Sequence, residues 1–174
     1  MLTKEDIIRY LKILNERLKE KDLKGEILIF GGSAMVLLFN ARPSTKDIDA
    51  IFKPKDIIYE IAKEISEEYK LSENWLNDSV KGFIESSEFE QKVLYRFDNL
   101  AVYVPEPEYL LAMKCMSLRI GAESSDIEDI KTIIKYLKLK KPEDVFRIIE
   151  KYYPENRILP KTYYFIKEIF NSSK

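Results

Sequence analysis

Two aspartates separated by one residue, Asp47-Ile48-Asp49, follow a Gly31-Gly32-Ser33 turn by about a dozen residues. On a strand, alternate side chains share a face, so these two carboxylates project together, roughly 6–7 Å apart at about 3.3 Å per residue. Like charges that close repel unless a cation sits between them. An all-oxygen donor set suits Mg²⁺ or Mn²⁺, and Mg²⁺ completes its shell with waters and substrate phosphates. Gly31 and Gly32 tolerate positive φ and let a ligand approach the backbone. Ser33 stands where a helix N-cap is expected, and a helix N-terminus offers free N–H groups and a positive dipole end to a phosphate. A phosphate cradle and a metal clamp a short loop apart are the two parts that metal-assisted phosphoryl or nucleotidyl transfer requires.

The elements that must hold these residues follow from patterning. Residues 27–30 are a short apolar run, a buried strand that the glycines end. Residues 34–39 are the helix after the turn, and Pro43 and Ser44 break it. A second strand is expected over 46–52, with Asp47, Asp49 and Ile51 on one face and Ile48, Ala50 and Phe52 on the other. Upstream, Thr3 is a candidate N-cap for a helix carrying Ile7, Ile8, Leu11, Leu14 and Leu18 to about Glu20, with a turn over 22–25. Downstream, Pro54 suits the first turn of a helix that Ile57, Ile58, Ile61, Ile65 and Tyr69 carry to about Lys70. Residues 71–87 read as a short helical or turn segment. Residues 91–97 and 100–104 read as a hairpin turning at Asp98-Asn99. Helices are expected over 109–119, 125–137, 142–153 and 161–170. The fold class is α/β (α+β), a mixed sheet flanked by helices with a helical C-terminal part.

Gly31-Gly32-Ser33 followed by Asp47-Ile48-Asp49 resembles the defining motif of the nucleotidyltransferase (polymerase β-like) superfamily, and Arg42 resembles the arginine that precedes the acids in its AbiEii/AbiGii toxin branch. Trp75-Leu76-Asn77-Asp78 is similar to a segment of small uncharacterised relatives of those toxins. The resemblance implies that Asp47 and Asp49 hold Mg²⁺ (or Mn²⁺) and that Gly31, Gly32 and Ser33 cradle a nucleoside triphosphate. Lys114 is a lone cation on an otherwise apolar helix, sharing a face with Leu110 and Leu118. It reads either as a snorkelling lysine or as a triphosphate ligand. Its Leu-Ala-Met-Lys helix, followed by a helix that opens with acids, resembles the Lys and Asp motifs of AbiEii-type proteins. On that resemblance Arg42 and Lys114 neutralise the triphosphate, and Asp129, ahead of Asp126, is the acid that completes the site. Many superfamily members carry that third acid on a strand. Here Glu90 is the nearest strand candidate and Asp98 looks like a turn residue, so Asp129 either takes over from a helix or the site is incomplete. The implied reaction moves an NMP from an NTP to a hydroxyl. In the toxin-like reading the acceptor is RNA, such as a tRNA end, and the partner is a cognate antitoxin protein. An antibiotic- or protein-modifying transferase on the same site stays open, as does a second class, a non-catalytic nucleotide-binding or interaction module.

Composition bounds these readings. At 174 residues, 45% of them hydrophobic, the chain can bury a sizeable core, expected as an α/β core over 1–104 and a helical part over 105–174. Its 29 basic and 30 acidic residues leave a net charge of -1, which argues against a strongly basic, non-specific nucleic-acid binder. No apolar run approaches the ~20 residues of a membrane span, and no signal-peptide core opens the chain, so a cytoplasmic protein is expected. The absence of histidine removes histidine bases and ligands. Cys115 is the only cysteine, so no internal disulfide forms. The Lys-, Glu- and Ile-rich composition leans towards a thermophile. Trp75 reads as a core residue, with a nucleotide-pocket wall formed by Trp75 or Asn77 as the alternative. Tyr152, Tyr153, Tyr163, Tyr164 and Phe165 read as core or interface aromatics.

Overall fold

The computed structural model describes residues 1–84, 89–118 and 125–171. Two compact units form: Met1–Gly82 with Gln91–Pro105, and Phe83–Glu90 with Glu106–Lys174.

In the first unit a two-residue strand, β1 (Leu2–Thr3), leads into helix α1 (Lys4–Glu20). The entry is a capping box. The Asp6 amide donates to Thr3 Oγ1 at 3.2 Å, and the Asp6 carboxylate accepts from the Thr3 amide at 3.0 Å. The Thr3 amide first, then the Thr3 hydroxyl, both donating to the Asp6 carboxylate, hold its carboxyl below its ordinary value. Ile7, Leu11, Leu14 and Leu18 are buried along one stripe of α1. β2 (Gly25–Ile29) is followed by a short helix α2 (Gly31–Ala34) that continues as a π-helical turn, Met35–Phe39. Asn40, in the left-handed region at φ 49°, ends it. β3 (Ser44–Thr45) pairs antiparallel with β1, a ladder that the local patterning of neither segment announces. β4 (Ile48–Lys53) then runs antiparallel to β2, and α3 (Lys55–Tyr69) connects it to the parallel β5 (Leu76–Asn77). β6 (Gln91–Arg96) and β7 (Leu100–Pro105) are the expected hairpin, with a bulge between Val93 and Tyr95.

The sheet is mixed, in the order β5-β4-β2-β7-β6. Ile27, Ile29, Ala50, Phe52, Val102 and Val104 are buried on one face, where α1 and α3 pack. Apart from Ala50, each of these side chains contributes about 1.5–3 kcal/mol on leaving water. Asp49 and Ile51 alternate to the other face, half-buried. The observed β4 begins at Ile48, so Asp47 stands just ahead of the strand rather than within it.

The segment after α3 meets expectation in part: Ser79–Phe83 forms a 3-10 helix, but the stretch before it departs. Leu76–Asn77 is a strand rather than a helix or turn, because its backbone finds partners on β4. Trp75 is 1% exposed and its indole N–H donates to the Ala62 carbonyl at 2.9 Å. The core reading of Trp75 holds, since burial of the ring needs such a partner for its one polar atom. Residues 85–87, the end of this segment, and Arg119, expected within the helix from 109, lie outside the described residues.

The second unit is helical: α4 (Pro107–Met116), α5 (Asp126–Tyr136), α6 (Pro142–Tyr152) and α7 (Pro160–Asn171). Prolines open α4, α6 and α7, where a missing N–H costs nothing. Tyr152 and Tyr153 are buried, whereas Tyr163 and Tyr164 are 40% and 70% exposed. Among the described residues, no helix is long and apolar enough to cross a membrane.

Candidate functional site

Gly31 brings the two halves of the motif into contact. β2 and β4 pair with Ile29 opposite Ala50, and the Phe30 amide donates to the Asp49 carbonyl at 2.8 Å. The chain therefore leaves β2 directly beside Asp49. At Gly31 it turns into α2 through the left-handed region, φ +56°. A Cβ built on Gly31 would lie 2.6 Å from Asp49 Oδ2. Only glycine fits there, for its conformation and for the space the carboxylate occupies.

Gly32 makes the second close approach. A Cβ on it would lie 2.6 Å from Thr45 Oγ1 and 3.2 Å from both Cζ and Nη2 of Arg42. The chain that left through α2 has folded back, through the π turn and Asn40, to set the Arg42 guanidinium and the Thr45 hydroxyl against the turn where α2 begins. π turns recur at functional sites, where the extra residue redirects the chain.

Ser33 differs from its expected place. Phe30, with φ -127° and ψ -165°, occupies the N-cap, because the helix already starts at Gly31. The first helical bond runs from the Ala34 amide to the Phe30 carbonyl at 3.1 Å. The Ser33 hydroxyl is buried and donates to the same carbonyl at 3.0 Å. Its side chain thus braces the turn, and what it offers a ligand is its backbone amide. The amides of Gly31, Gly32 and Ser33 precede the first helical bond and form the open end of the helix.

Asn77 is the register partner of Asp49 on β5. Its side-chain oxygen accepts from the Ser79 amide at 3.0 Å, closing a turn. The neighbouring Asp78 accepts from Lys81 Nζ at 2.6 Å and Lys55 Nζ at 2.9 Å, and also from the Tyr59 hydroxyl. Lys81 first, then Tyr59 and Lys55, hold its carboxyl well below the usual carboxylate range.

In the second unit Lys114 Nζ lies 2.9 Å from Asp126 Oδ1 and 2.8 Å from Asp129 Oδ2. The three side chains are 11%, 3% and 2% exposed. Both acids belong to the first turn of α5, three residues apart, so one lysine of α4 reaches both. This explains a cation on an apolar helix without snorkelling. It also puts Asp126 on an equal footing with Asp129. Glu90 is exposed, immediately ahead of β6. Cys115 is buried, and burial pushes its thiol up, far from nucleophilic use. Among the described residues no three or more acidic or cysteine side chains gather into a group that could hold a metal ion.

Thr45 is the residue of this site that the sequence does not single out. Its spacing carries no signal for it, because the strand is interrupted between Thr45 and Ile48 and its place depends on pairing with Leu2.

The family described as "Nucleotidyltransferase of unknown function (DUF6036)" matches residues 7–158. The chain belongs to the DUF6036 family. That match spans the glycine turn, the aspartate pair and the Lys114 cluster alike, and its description places the chain among nucleotidyltransferases without naming a branch, a substrate or an acceptor. No curated protein and no solved structure matches the chain.

Proposed function

We propose that this DUF6036 protein binds a nucleoside triphosphate at the Gly31–Ser33 turn and transfers its NMP to a hydroxyl acceptor. The observation that carries the reading is the contact between Gly31 and the Asp49 carboxylate. A carboxylate beside a helix-opening turn repels a phosphate there unless a cation offsets the repulsion. Asp47 and Asp49 supply the oxygen donors that Mg²⁺ (or Mn²⁺) takes, and two carboxylates with substrate phosphates are a common set for that ion. When bound, the ion would neutralise charge on the phosphates. The amides of Gly31, Gly32 and Ser33 orient the triphosphate, and Arg42 offsets its charge. The acceptor oxygen bonds to the α-phosphorus while the bond to the bridging oxygen breaks. Pyrophosphate leaves with the electron pair, and the hydroxyl proton passes to water.

The AbiEii/AbiGii-like spacing of Arg42 and the aspartates supports RNA, such as a tRNA end, as the acceptor. It also supports a cytoplasmic setting with a cognate antitoxin. Lys114 and Asp129 were expected as a triphosphate ligand and a third acid. Their ion pairs account for both side chains without a nucleotide, and the proposal rests on the first unit alone.

A second reading, a module that binds nucleotide without turnover, is favoured by one observation: no third acid gathers with a carboxylate pair among the described residues. Calorimetry with each NTP and Mg²⁺, followed by transfer assays with labelled NTP and total RNA, separates the two. Asp47→Asn and Asp49→Asn should each abolish Mg²⁺-dependent nucleotide binding and leave folding nearly unchanged. Wild-type affinity in both variants would exclude the site, and binding without transfer in the wild type would select the module.

A further inference from the structure

We infer that strand β1 is a working part of this site: by pairing with Ser44–Thr45 it fixes the Thr45 side chain over Gly32, in the space that the Arg42 guanidinium also borders, which makes Thr45 a positioning residue for that guanidinium. The inference rests on the nucleotide site proposed above.

A chain of contacts leads from the core to the turn. α1 is anchored by its buried stripe, Ile7 to Leu18. Its capping box holds Thr3 through the Asp6 carboxylate, which accepts from both the amide and the hydroxyl of Thr3 at 3.0 Å. Thr3 pairs with Ser44, and Leu2 with Thr45. Leu2 and Thr45 are both buried, at 5% and 4% exposure. Thr45 Oγ1 then occupies the space a Gly32 side chain would take, alongside the guanidinium carbon and Nη2 of Arg42.

The geometry has a physical consequence. Ser44–Thr45 lies in the return loop between Asn40 and β4, which starts only at Ile48. A loop residue that carries a charge for phosphate binding loses affinity if it must be ordered on binding. The β1 ladder orders this loop beforehand, using main-chain bonds from a segment more than forty positions upstream in the chain. A threonine is suited to the task, since its β-branch stiffens χ1 on an extended backbone and its hydroxyl puts a polar atom over the same glycine that the guanidinium approaches.

The test uses the full chain, with MgATP, MgGTP, MgCTP and MgUTP as probes in calorimetry. Thr45→Val keeps the shape and removes the hydroxyl; Thr45→Ser keeps the hydroxyl. For the nucleotide the wild type binds best, Thr45→Val should weaken affinity about tenfold, the scale of one misplaced charged hydrogen bond. Thr45→Ser should restore most of it. In an Arg42→Ala background Thr45→Val should cost little more, because the group it positions is already gone. Leu2→Ala, which loosens the ladder, should weaken binding in the same direction, and it carries the test with Thr45→Ser if Thr45→Val does not fold. Unchanged affinity in Thr45→Val, no rescue by serine, or a full additive loss on Arg42→Ala would overturn the inference while leaving the nucleotide site standing. A wild type that binds none of the four nucleotides would overturn the site itself, and this inference with it.

Discussion

Gly31 answers two demands at one position, a left-handed backbone and room for the Asp49 carboxylate. Alanine there meets neither. Gly31→Ala should destabilise the fold by about 1–2 kcal/mol through its positive φ. It should weaken Mg²⁺-nucleotide binding further, because Asp49 Oδ2 must give way. Urea unfolding and calorimetry on the same variant check both, and unchanged binding would show that the Asp49 carboxylate does not serve the ligand. Lys114 presents the opposite case, a charge whose partners are buried with it. Lys114→Met removes a cation that pairs with both buried carboxylates and should cost about 3–5 kcal/mol. Adding Asp126→Asn and Asp129→Asn should recover most of that loss in denaturant unfolding. If the single substitution costs little, the cluster is not the tie between α4 and α5 that its geometry indicates.

Helix ends and strand pairings do the positioning one level up. The β2–β4 pairing sets Gly31 beside Asp49, the π turn and Asn40 return the chain to Gly32, and the β1–β3 ladder holds that return. In the second unit the end of α6 is joined to the start of α4. The Tyr152 hydroxyl donates to the Glu106 carboxylate, and Lys151 Nζ lies 3.0 Å from Glu108 Oε2. Burial, followed by the bond to Glu106, pushes the Tyr152 phenol up to about 12 from its ordinary 10.0. A folded-state value raised in this way favours the protonated phenol. Its contribution is therefore complete below pH 10 and is lost as pH rises from 10 through 12. On the order of 2 kcal/mol of unfolding free energy should disappear over that window. Tyr152→Phe should be less stable at neutral pH and should show a shallower alkaline loss. Parallel wild-type and variant curves between pH 9 and 12 would rule out this coupling.

For the molecule as a whole, a net charge of -1 on 174 residues gives no long-range pull on a polyanion. In the proposed site, recognition of a nucleotide therefore falls to local groups: the helix-opening amides, Arg42 and the aspartate pair. Short-range patterning specifies much of the frame that holds them. Apolar spacing marks α1, α3, α5 and α6; the alternation of Ile48, Ala50 and Phe52 with Asp49 and Ile51 sets the faces of β4; Asp98-Asn99 marks the β6–β7 turn. These signals are local, because a side chain's place on a helix or strand depends on residues within a turn or two of it. The same patterning also reaches the glycine turn and the aspartates, since their residue types are constrained where a backbone turns and a charge gathers. What depends on chain closure over long distances is absent from any local window. Ser33 became a brace because Phe30 took the N-cap. Leu76–Asn77 became a strand because β4 offered it an edge. Thr45 entered the site because Leu2 paired with it across the fold. Lys114 found both Asp126 and Asp129 because α4 and α5 pack together. Ser33 is the exception, since its brace closes on Phe30 within the same turn; in the other cases the deciding partner lies far along the chain, and only tertiary packing selects it.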